Sequence, residues 1–466
     1  MTSSTIAAIA TPAGRGGIGI VRISGPQSFS IGSQLFRPYN QSVQKPSDSH
    51  FPFQSHRVYF GQLLNFKETA FLDEVLIIFM KAPKSYTRED VVEIQCHAGL
   101  QVLKSILSAV FDAGAIPAEP GEFTKRAYLN GRIDLTQAEA VIDLINARSE
   151  ISRKIALSQI SGNLKNAISG FQEFLTAILV QCQAEIEFSE NVTEMIETVT
   201  LSQKIQDHVI APIEKLIHNH DQSFFLTESF RAIIIGAPNV GKSSLMNCLT
   251  RKEKSIVTPY PGTTRDLIEE YVQIQGTPTV LVDTAGLHES EDPVEAIGIE
   301  ITLKQIQSAD LILFVLQAGR PLTINEFHIC KMLIDKQVIF IFNKIDLTQE
   351  ISSVELPYGF AAFPSVYTSA LKNIGIDTLE KTIEEFIAKK ISVFQDPLLP
   401  NLRQKHLLLD TLDSLSHFVG GLSINIPLDL LVIDLIDAIR YLNTVTGKLI
   451  QYDILDQIFD NFCIGK

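Results

Sequence analysis

Residues 236–243 constrain the fold of this chain more than any other segment. They read Gly-Ala-Pro-Asn-Val-Gly-Lys-Ser, which matches the pattern G-x-x-x-x-G-K-[ST], and they lie between an apolar run at 232–235 and a helical pattern at 244–249. In such a strand–loop–helix unit, backbone N–H groups and the helix N-terminus surround phosphate groups. The pattern therefore predicts a phosphate-binding loop in which Lys242 reaches the β- and γ-phosphates and Ser243 ligates Mg²⁺.

Three later motifs follow in the order typical of small translation-factor-type GTPases. Asp-Thr-Ala-Gly at 283–286 comes after one apolar run, Asn-Lys-Ile-Asp at 343–346 closes another, and Ser-Ala at 369–370 follows a third. A carboxylate at Asp346 can accept hydrogen bonds from guanine N1–H and the guanine amino group, whereas adenine presents a C–H and an acceptor nitrogen on that edge. Asn343 can donate to guanine N7 or to the phosphate loop. The motifs therefore predict GTP rather than ATP.

The predicted nucleotide site draws on these motifs and on the segments between them. Asp283 can reach Mg²⁺ through water, the Gly286 N–H can contact the γ-phosphate, and a backbone N–H near residues 369–370 can meet guanine O6. Thr264 is the candidate switch residue, whose hydroxyl joins Mg²⁺ only while the γ-phosphate is present. The predicted GTP-binding residues are Asn239, Val240, Gly241, Lys242, Ser243, Ser244, Thr258, Thr263, Thr264, Asp283, Thr284, Ala285, Gly286, Asn343, Lys344, Asp346, Ser369, Ala370 and Leu371.

Hydrolysis needs a group that the Ras-type pattern places directly after Asp-Thr-Ala-Gly. A glutamine there orients the attacking water, but this chain has Leu287, which has no hydrogen-bonding group. The carboxamide of Asn239 can bind a monovalent cation beside the phosphates, and Glu295 can act on water directly or through a second water. A turn-forming Asn239 and a solvated Glu295 remain the alternatives.

The order of apolar runs predicts a multidomain protein with α/β and all-α parts. Residues 1–120 read as mixed α/β, and residues 229–388 alternate short strands with helices, which favours a doubly wound parallel sheet of Ras-like type. Residues 121–228 and 389–466 read as long helices, with a capping box predicted at Thr136 and Glu139. The simplest arrangement is a G domain inserted into a split helical domain.

Composition excludes several classes of protein. The chain has 466 residues, 45% of them hydrophobic and 20% charged, which is typical of a globular protein. Its apolar runs are shorter than the roughly 18 residues of a membrane span, and its N-terminus has no basic region of a secretory signal. The five cysteines never occur as CxxC. We therefore expect a cytoplasmic protein without a disulfide framework, a zinc site or a membrane partner.

Three further blocks identify a family. Residues 10–25 read ATPAGRGGIGIVRISG, residues 120–135 read PGEFTKRAYLNGRIDL, and the chain ends in FCIGK. Together with the G motifs, these blocks resemble the MnmE (TrmE) family of bacterial tRNA uridine-5-carboxymethylaminomethyl modification GTPases, over essentially all 466 residues. The resemblance implies a folate-binding N-terminal domain, a split helical domain, an inserted G domain and a homodimer joined through the N-terminal domains.

The resemblance also implies the reaction and its participants. With a flavin-containing MnmG-type partner, in a heterotetramer, the family adds an aminomethyl or carboxymethylaminomethyl group at C5 of the wobble uridine (position 34) of certain tRNAs. The one-carbon unit comes from 5,10-methylenetetrahydrofolate (or a 5-formyl analogue), and the second substrate is glycine or ammonia. K⁺ stimulates GTP hydrolysis by drawing two G domains together.

Residue roles follow from the positions of the family motifs. Glu295 corresponds to the glutamate that helps to activate water, and Lys242 is also predicted to be catalytic. Cys463 is a candidate nucleophile, and a packing role is the alternative. The predicted metal and folate ligands are Ser243 and Thr264 for Mg²⁺, Asn239, Thr258, Tyr260 and Thr263 for K⁺, and Arg22, Glu93, Arg132 and Lys466 for the folate.

Two other functions would also use these G motifs. A ribosome-assembly switch GTPase, whose flanking domains only bind RNA, leaves residues 10–25 and the C-terminal FCIGK unexplained. The net charge of 39 − 53, or −14, also disfavours broad RNA binding. A membrane-remodelling GTPase is disfavoured because the sequence has no evident basic amphipathic helix.

Overall fold

The computed structural model divides the chain into two compact units. One is made of residues 1–142, 159–213 and 402–466, and the other of residues 143–158 and 214–401. The predicted domain boundaries at 121, 229 and 389 stay predictions. The described residues are 4–12, 14, 16–39, 53–65, 70–147, 149–187, 198–227, 230–252, 268–274, 277–283, 306, 309–348, 356, 359–360, 363–392, 398–450 and 452–466. Within these ranges, no helix has the length and apolar character needed to cross a membrane.

A seven-stranded sheet begins the first unit. Its order is β3-β4-β5-β6-β2-β1-β7, and neighbouring strands are antiparallel except for the parallel pair β1 and β7. Helices α1 (Ser28–Leu35) and α2 (Leu100–Asp112) pack on it and share its apolar core. The predicted mixed α/β character is confirmed. The strands are β1 (Ile6–Ile9), β2 (Ile18–Ser24), β3 (Phe36–Pro38), β4 (Val58–Leu64), β5 (Phe71–Met80), β6 (Val91–His97) and β7 (Ile116–Pro117).

A six-stranded sheet forms the centre of the second unit. Its order is β13-β12-β11-β8-β10-β9, with apolar clusters on both faces. Burial on both faces explains the continuous apolar runs of the central strands. Its strands are β8 (Phe230–Gly236), β9 (Ile268–Ile274), β10 (Thr277–Asp283), β11 (Leu311–Gln317), β12 (Val338–Asn343) and β13 (Ser365–Tyr367), and its helices are α9 (Lys242–Lys252), α10 (Ile324–Met332) and α11 (Ile376–Ser392).

The predicted sheet is confirmed except at one edge. The other neighbouring pairs are parallel, but β9 pairs with β10 in the antiparallel direction. The sequence Ile-Glu-Glu-Tyr-Val-Gln-Ile of β9 carries too many polar residues to read as a core strand. As an edge strand it needs to bury only alternate residues, and Val272 and Ile274 are buried.

Helices from two distant parts of the sequence pack together in the first unit. α6 (Asn163–Glu187) contacts α13 (Leu428–Thr446), and α13 also packs along α12 (Leu402–Ser423). The predicted C-cap is confirmed, because Gly447 ends α13 with a φ of 83°. The split helical arrangement is therefore present. The other described helices are α3 (Glu122–Leu129), α4 (Leu135–Asn146), α5 (Glu150–Ile160), α7 (Thr198–Ile205), α8 (Ala211–Thr227) and α14 (Tyr452–Asp460), with a π-helical turn at Gln206–Ile210.

The capping box predicted at Thr136 and Glu139 is wrong by two residues. Asp134 Oδ1 accepts the Gln137 N–H at 2.9 Å, and Gln137 Oε1 accepts the Asp134 N–H at 3.0 Å. Asp134 and Gln137 therefore form the reciprocal pair that begins α4. Glu139 has a different role, since its carboxylate accepts hydrogen bonds from Arg403 at 2.7 and 2.8 Å.

We expect Glu139→Ala to destabilise the first unit by about 2 kcal/mol, because it leaves the buried Arg403 contact without its anion. The Glu139 side chain is 8% exposed and also accepts from Gln404 at 2.6 Å. Calorimetric unfolding measures the change. Asp437→Ala, which removes an exposed pair with Arg440 in the same unit, is the matched control and should have little effect. Equal effects of the two variants would contradict a stabilising role for the Glu139 pair.

Candidate functional site

The phosphate loop joins β8 to α9, as predicted. Gly236 has a φ of 154°, and a Cβ there would lie 2.3 Å from the carbonyl oxygen of Val315. Gly241 has a φ of 97°, and its Cβ would lie 2.4 Å from Nδ2 of Asn343. Both positions exclude a larger side chain. Since α9 begins at Lys242, the loop presents a helix N-terminus to its interior, which fits a polyphosphate.

Two residues of this loop are unusual, one for the burial of its charge and the other for its backbone conformation. The Lys242 ammonium donates to the carbonyl oxygens of Gly236 at 2.9 Å and Ala237 at 3.1 Å, and the residue is 6% exposed. A buried cation inside a phosphate-binding loop is suited to an anionic ligand. Asn239 has a φ of 62°, in the left-handed region, and it is exposed. Its carboxamide therefore extends from a tightly turned part of the loop.

Asn343 connects the phosphate loop to the predicted base-binding loop. Its Nδ2 donates to the carbonyl oxygen of Val240 at 2.8 Å, and its Oδ1 accepts the Ala370 N–H at 3.0 Å and the Thr368 hydroxyl at 3.2 Å. Of the two roles open for Asn343, the structure shows the contact with the loop. Cys248 adds to the same support, since its thiol donates to the Ala370 carbonyl oxygen at 3.3 Å.

Asp346 lies at the other end of the base-binding region. The Ser369 hydroxyl donates to its carboxylate at 2.5 Å, and this hydrogen bond lowers the pKa of Asp346 below the usual value of an aspartate. The carboxylate is therefore ionised at neutral pH and can accept from guanine N1–H and the amino group. The Leu371 N–H has no partner among the described residues, and Leu371 is 86% exposed, so this N–H is free to donate to a guanine oxygen.

Several predicted ligands lie outside the described residues. Ser243 and Ser244 lie in the first turn of α9, and Asp283 ends β10, although its side chain is not described. The predicted Mg²⁺ and K⁺ sets are therefore described only at Ser243 and Asn239. The predicted site residues outside the described ranges are Thr258, Tyr260, Thr263, Thr264, Thr284, Ala285, Gly286 and Glu295.

A second cluster, in the first unit, joins residues that are far apart in sequence. Arg22 on β2 lies opposite Glu93 on β6, and its Nε donates to Glu93 Oε1 at 2.8 Å. Its Nη1 donates to the carbonyl oxygen of Gly465 at 3.3 Å. The carbonyl oxygen of Lys466 accepts the Phe123 N–H at 3.2 Å. The C-terminal residues are therefore anchored beside the two predicted folate residues of the sheet.

Two aromatic rings complete this cluster. Tyr86 lies between two cations, with its ring centroid 5.5 Å from the guanidinium carbon of Arg22 and 4.7 Å from that of Arg132. The Phe123 ring lies 5.6 Å from the Arg22 guanidinium. Arg132 also donates to the carbonyl oxygen of Tyr86 at 3.1 Å. Arg22, Glu93 and Arg132 thus belong to one cluster of cations, a carboxylate and aromatic rings, and the main chain of Lys466 is hydrogen-bonded to Phe123 in the same cluster.

The sequence analysis did not single out Tyr86 or Phe123. Phe123 lies within the segment 120–135 that identified the family, but that segment gave no role to its side chain. Tyr86 lies in the irregular loop between β5 and β6, where no periodicity or motif distinguishes it. Its contacts with two arginines depend on the tertiary fold.

The cysteines differ in their exposure. Burial raises the pKa of the thiols of Cys96, Cys182 and Cys330 to about 11, so these three are unreactive core residues at neutral pH. Cys463 is exposed, and its carbonyl oxygen accepts N–H groups of Gly121 at 3.4 Å and Lys466 at 3.3 Å. Its backbone therefore helps to hold the C-terminal turn. A catalytic role for its thiol stays a prediction.

The glycine-lined loop at the start of α9, together with the Asn343 and Asp346 loop, defines a P-loop GTPase. Comparison with known proteins extends this assignment to the whole chain. The family profile "MnmE helical domain" matches residues 135–463, and the profile "GTP-binding protein TrmE N-terminus" matches residues 5–132. The chain belongs to the MnmE family of tRNA modification GTPases.

Curated relatives agree over their full length. The tRNA modification GTPase MnmE of Acetivibrio thermocellus is 42% identical over 463 residues, covering 99% of each chain. That of Streptococcus agalactiae is 41% identical over 466 residues, covering 99% of this chain and 98% of the relative. Among solved structures, the G domain of the T. maritima FeoB iron transporter is 27% identical over 34% of this chain and 99% of its own, with a TM-score of 0.26. The family assignment depends on the full-length relatives. The chain is a GTP-binding enzyme of tRNA modification.

Proposed function

We propose that this GTPase hydrolyses GTP in a K⁺-stimulated reaction. With a flavin-containing partner, it would add an aminomethyl or carboxymethylaminomethyl group at C5 of the wobble uridine of certain tRNAs. A methylenetetrahydrofolate supplies the one-carbon unit when it is bound. The observation that carries this proposal is the cluster of Arg22, Glu93, Arg132 and the C-terminal turn around Tyr86.

The chemistry of the cluster suits a folate. A pterin presents adjacent N–H donors, which a carboxylate such as Glu93 accepts as a pair, and its flat ring packs on aromatic faces. The benzoylglutamate end is anionic, and arginines bind carboxylates through two parallel hydrogen bonds. Arg22 and Glu93 are each less than one-fifth exposed, so their orientation is fixed before a ligand arrives.

The GTP site would act through the phosphate loop and the other predicted ligands. Lys242 and the N-terminus of α9 would bind the phosphates, and Ser243 would bind Mg²⁺ together with Thr264. Asn239 would hold K⁺ with Thr258, Tyr260 and the Thr263 region, and Glu295 would position water. Positive charge placed beside the phosphates stabilises the charge that develops there during hydrolysis.

The partners of this reaction are part of the proposal. We infer a cytoplasmic homodimer joined through its N-terminal domains, which binds tRNA and forms a heterotetramer with a flavin-containing MnmG-type protein. The full-length agreement with curated relatives supports these inferences. Light scattering of the purified chain, alone and with the partner, tests them.

The folate part is tested by Arg22→Ala and Lys466→Ala. We expect each variant to bind 5-formyltetrahydrofolate about tenfold more weakly, because each removes a charge-assisted contact with the ligand. GTP hydrolysis should change by less than about twofold, since the catalytic residues belong to the other compact unit. Titration calorimetry and a phosphate-release assay give the two readouts.

Lys104→Ala is the matched control, because Lys104 is an exposed cation on α2 of the same unit. Arg22→Lys should give an intermediate loss, since an ammonium keeps the charge without the planar fork. A wild-type chain that binds no folate would contradict the proposal and favour a ribosome-assembly switch.

A further inference from the structure

A cationic cavity lies next to the Tyr86 cluster. It has a volume of about 500 Å³, and its lining includes His56, Lys84, Tyr86, Arg88 and Arg132, with no acidic side chain among the described residues that line it. A volume of this size is typical of small-molecule sites. Three permanent cations around such a space favour a ligand with several negative charges.

The cations of this cavity are not neutralised by a carboxylate in the part of the chain that the structure describes. Arg88 Nη1 donates to the carbonyl oxygen of Asn130 at 3.1 Å, and Arg132 Nη1 donates to that of Tyr86 at 3.1 Å. Among the described residues, no carboxylate pairs with Lys84, Arg88 or Arg132. Each guanidinium has five N–H donors, so most of them remain for a ligand.

The two carboxylates that follow Arg88 in the sequence are engaged elsewhere. Glu89 accepts hydrogen bonds from Arg126 at 3.1 Å and from Ser24 at 2.7 Å. Asp90 Oδ1 accepts the Ala82 N–H at 2.8 Å. These two acids therefore hold the loop between β5 and β6 in shape, and they do not line the cavity.

The backbone around the cavity is also fixed. The Ser85 hydroxyl donates to the Glu89 carbonyl oxygen at 2.5 Å, and Asn130 Nδ2 donates to the Thr87 carbonyl oxygen at 2.7 Å. His56 and Arg88 have φ values of 62° and 59°, a backbone conformation that residues other than glycine rarely adopt. Asn239 and Lys344, at the GTP site, share this property. Such conformations are concentrated at functional sites.

The cavity continues the proposed folate site. The Tyr86 ring lines the cavity and contacts both Arg22 and Arg132, so a ligand bound at Arg22 and Glu93 can extend past this ring. Folates occur with a chain of γ-linked glutamates, in which every added residue brings one more carboxylate. We propose that the cavity binds this anionic glutamyl chain, with Lys84, Arg88 and Arg132 as its ligands.

This inference rests on the proposed folate function and adds a site to it. An RNA phosphate track is the other polyanion to consider. Such tracks are extended grooves that follow several nucleotides with stacking platforms, whereas this site is a single solvent-open hollow of about 500 Å³ that adjoins the Tyr86 cluster. The glutamyl chain is therefore the occupant that the geometry favours.

The test compares tetrahydrofolates with one and with five glutamates, by titration calorimetry on the full chain. We expect the pentaglutamate to bind about tenfold more tightly, because two or three partly exposed ion pairs each contribute a severalfold gain. The ratio of the two affinities should fall to about twofold in Lys84→Gln combined with Arg88→Asn. Asparagine is chosen because it tolerates the left-handed backbone at position 88. Lys104→Gln is the matched control and should keep the wild-type ratio.

Each other outcome overturns the inference in a recognisable way. Equal binding of both folates by the wild-type chain removes the glutamyl site but leaves the folate proposal standing. Binding of neither folate removes both. An unchanged ratio in the double variant, with weaker binding of a tRNA transcript, assigns the cavity to RNA phosphates.

Discussion

GTP hydrolysis should be at least about tenfold faster in KCl than in NaCl at equal ionic strength, because this chain lacks the side chain that orients water in Ras-type enzymes. The side chain of Leu287 cannot form a hydrogen bond. Asn239, with its left-handed φ of 62° and exposed carboxamide, presents an oxygen beside the phosphate loop that can hold a monovalent cation. Na⁺ is smaller and should fit a loop sized for K⁺ poorly. A phosphate-release assay at high protein concentration, which allows G domains to pair, measures the difference.

Asn239→Ala should lower the rate in KCl to the rate in NaCl. Alanine is strained at a positive φ, so Asn239→Gly serves as a second variant that removes the carboxamide without the strain. Asn247→Ala is the matched control, since Asn247 is an exposed asparagine on α9. Equal rates in the two salts for the wild-type chain would leave Glu295 without its proposed partner and would exclude the cation mechanism.

Patterns in the sequence predict the second unit well because its strands are buried on both faces. Each of β8, β11 and β12 is a nearly uninterrupted apolar run between loop residues, so the chain order of strands could be assigned. The edge strand β9 was not predicted, because it is not buried on both faces. An edge strand buries only alternate positions, and two consecutive glutamates interrupt the apolar pattern.

Local patterns fail where a distant residue decides the outcome. Thr136 and Glu139 match the spacing of a capping box, but so do Asp134 and Gln137, and only the second pair caps α4. Glu139 is instead paired with Arg403, which lies 264 positions away in the sequence. Nothing within one turn of a helix carries that information.

The residues of the proposed folate site were predicted by family resemblance rather than by pattern. Arg22 and Glu93 are 71 positions apart, and they become neighbours only because β2 and β6 are adjacent strands. Sequence alone gives each of them the character of a surface charge. The cavity beside Tyr86 depends on loops that have no regular pattern, so it could be found only in the structure.

At the base site, we expect the largest effect from Asp346→Asn, which should change the nucleotide preference from guanine to xanthine. Asp346→Asn should weaken GTP binding by about 100-fold, because an amide cannot accept both guanine donors and a buried donor is left unpaired. The same variant should bind xanthosine triphosphate more tightly than the wild-type chain does. Xanthine has an oxygen where guanine has its amino group, and the asparagine NH₂ can donate to that oxygen. Competition titration with the two nucleotides measures both changes.

Ser369→Ala separates the charge of Asp346 from its position. The Ser369 hydroxyl lowers the pKa of Asp346. The contribution of this hydrogen bond to the stability of the folded protein is therefore complete above the usual aspartate pKa, and it is lost only as the pH falls through the lowered pKa. At neutral pH the carboxylate therefore stays ionised without Ser369, and only its orientation is lost. We expect a severalfold loss of GTP affinity in Ser369→Ala, without a gain for xanthosine triphosphate. Unchanged GTP affinity in Asp346→Asn would show that this carboxylate does not contact the base.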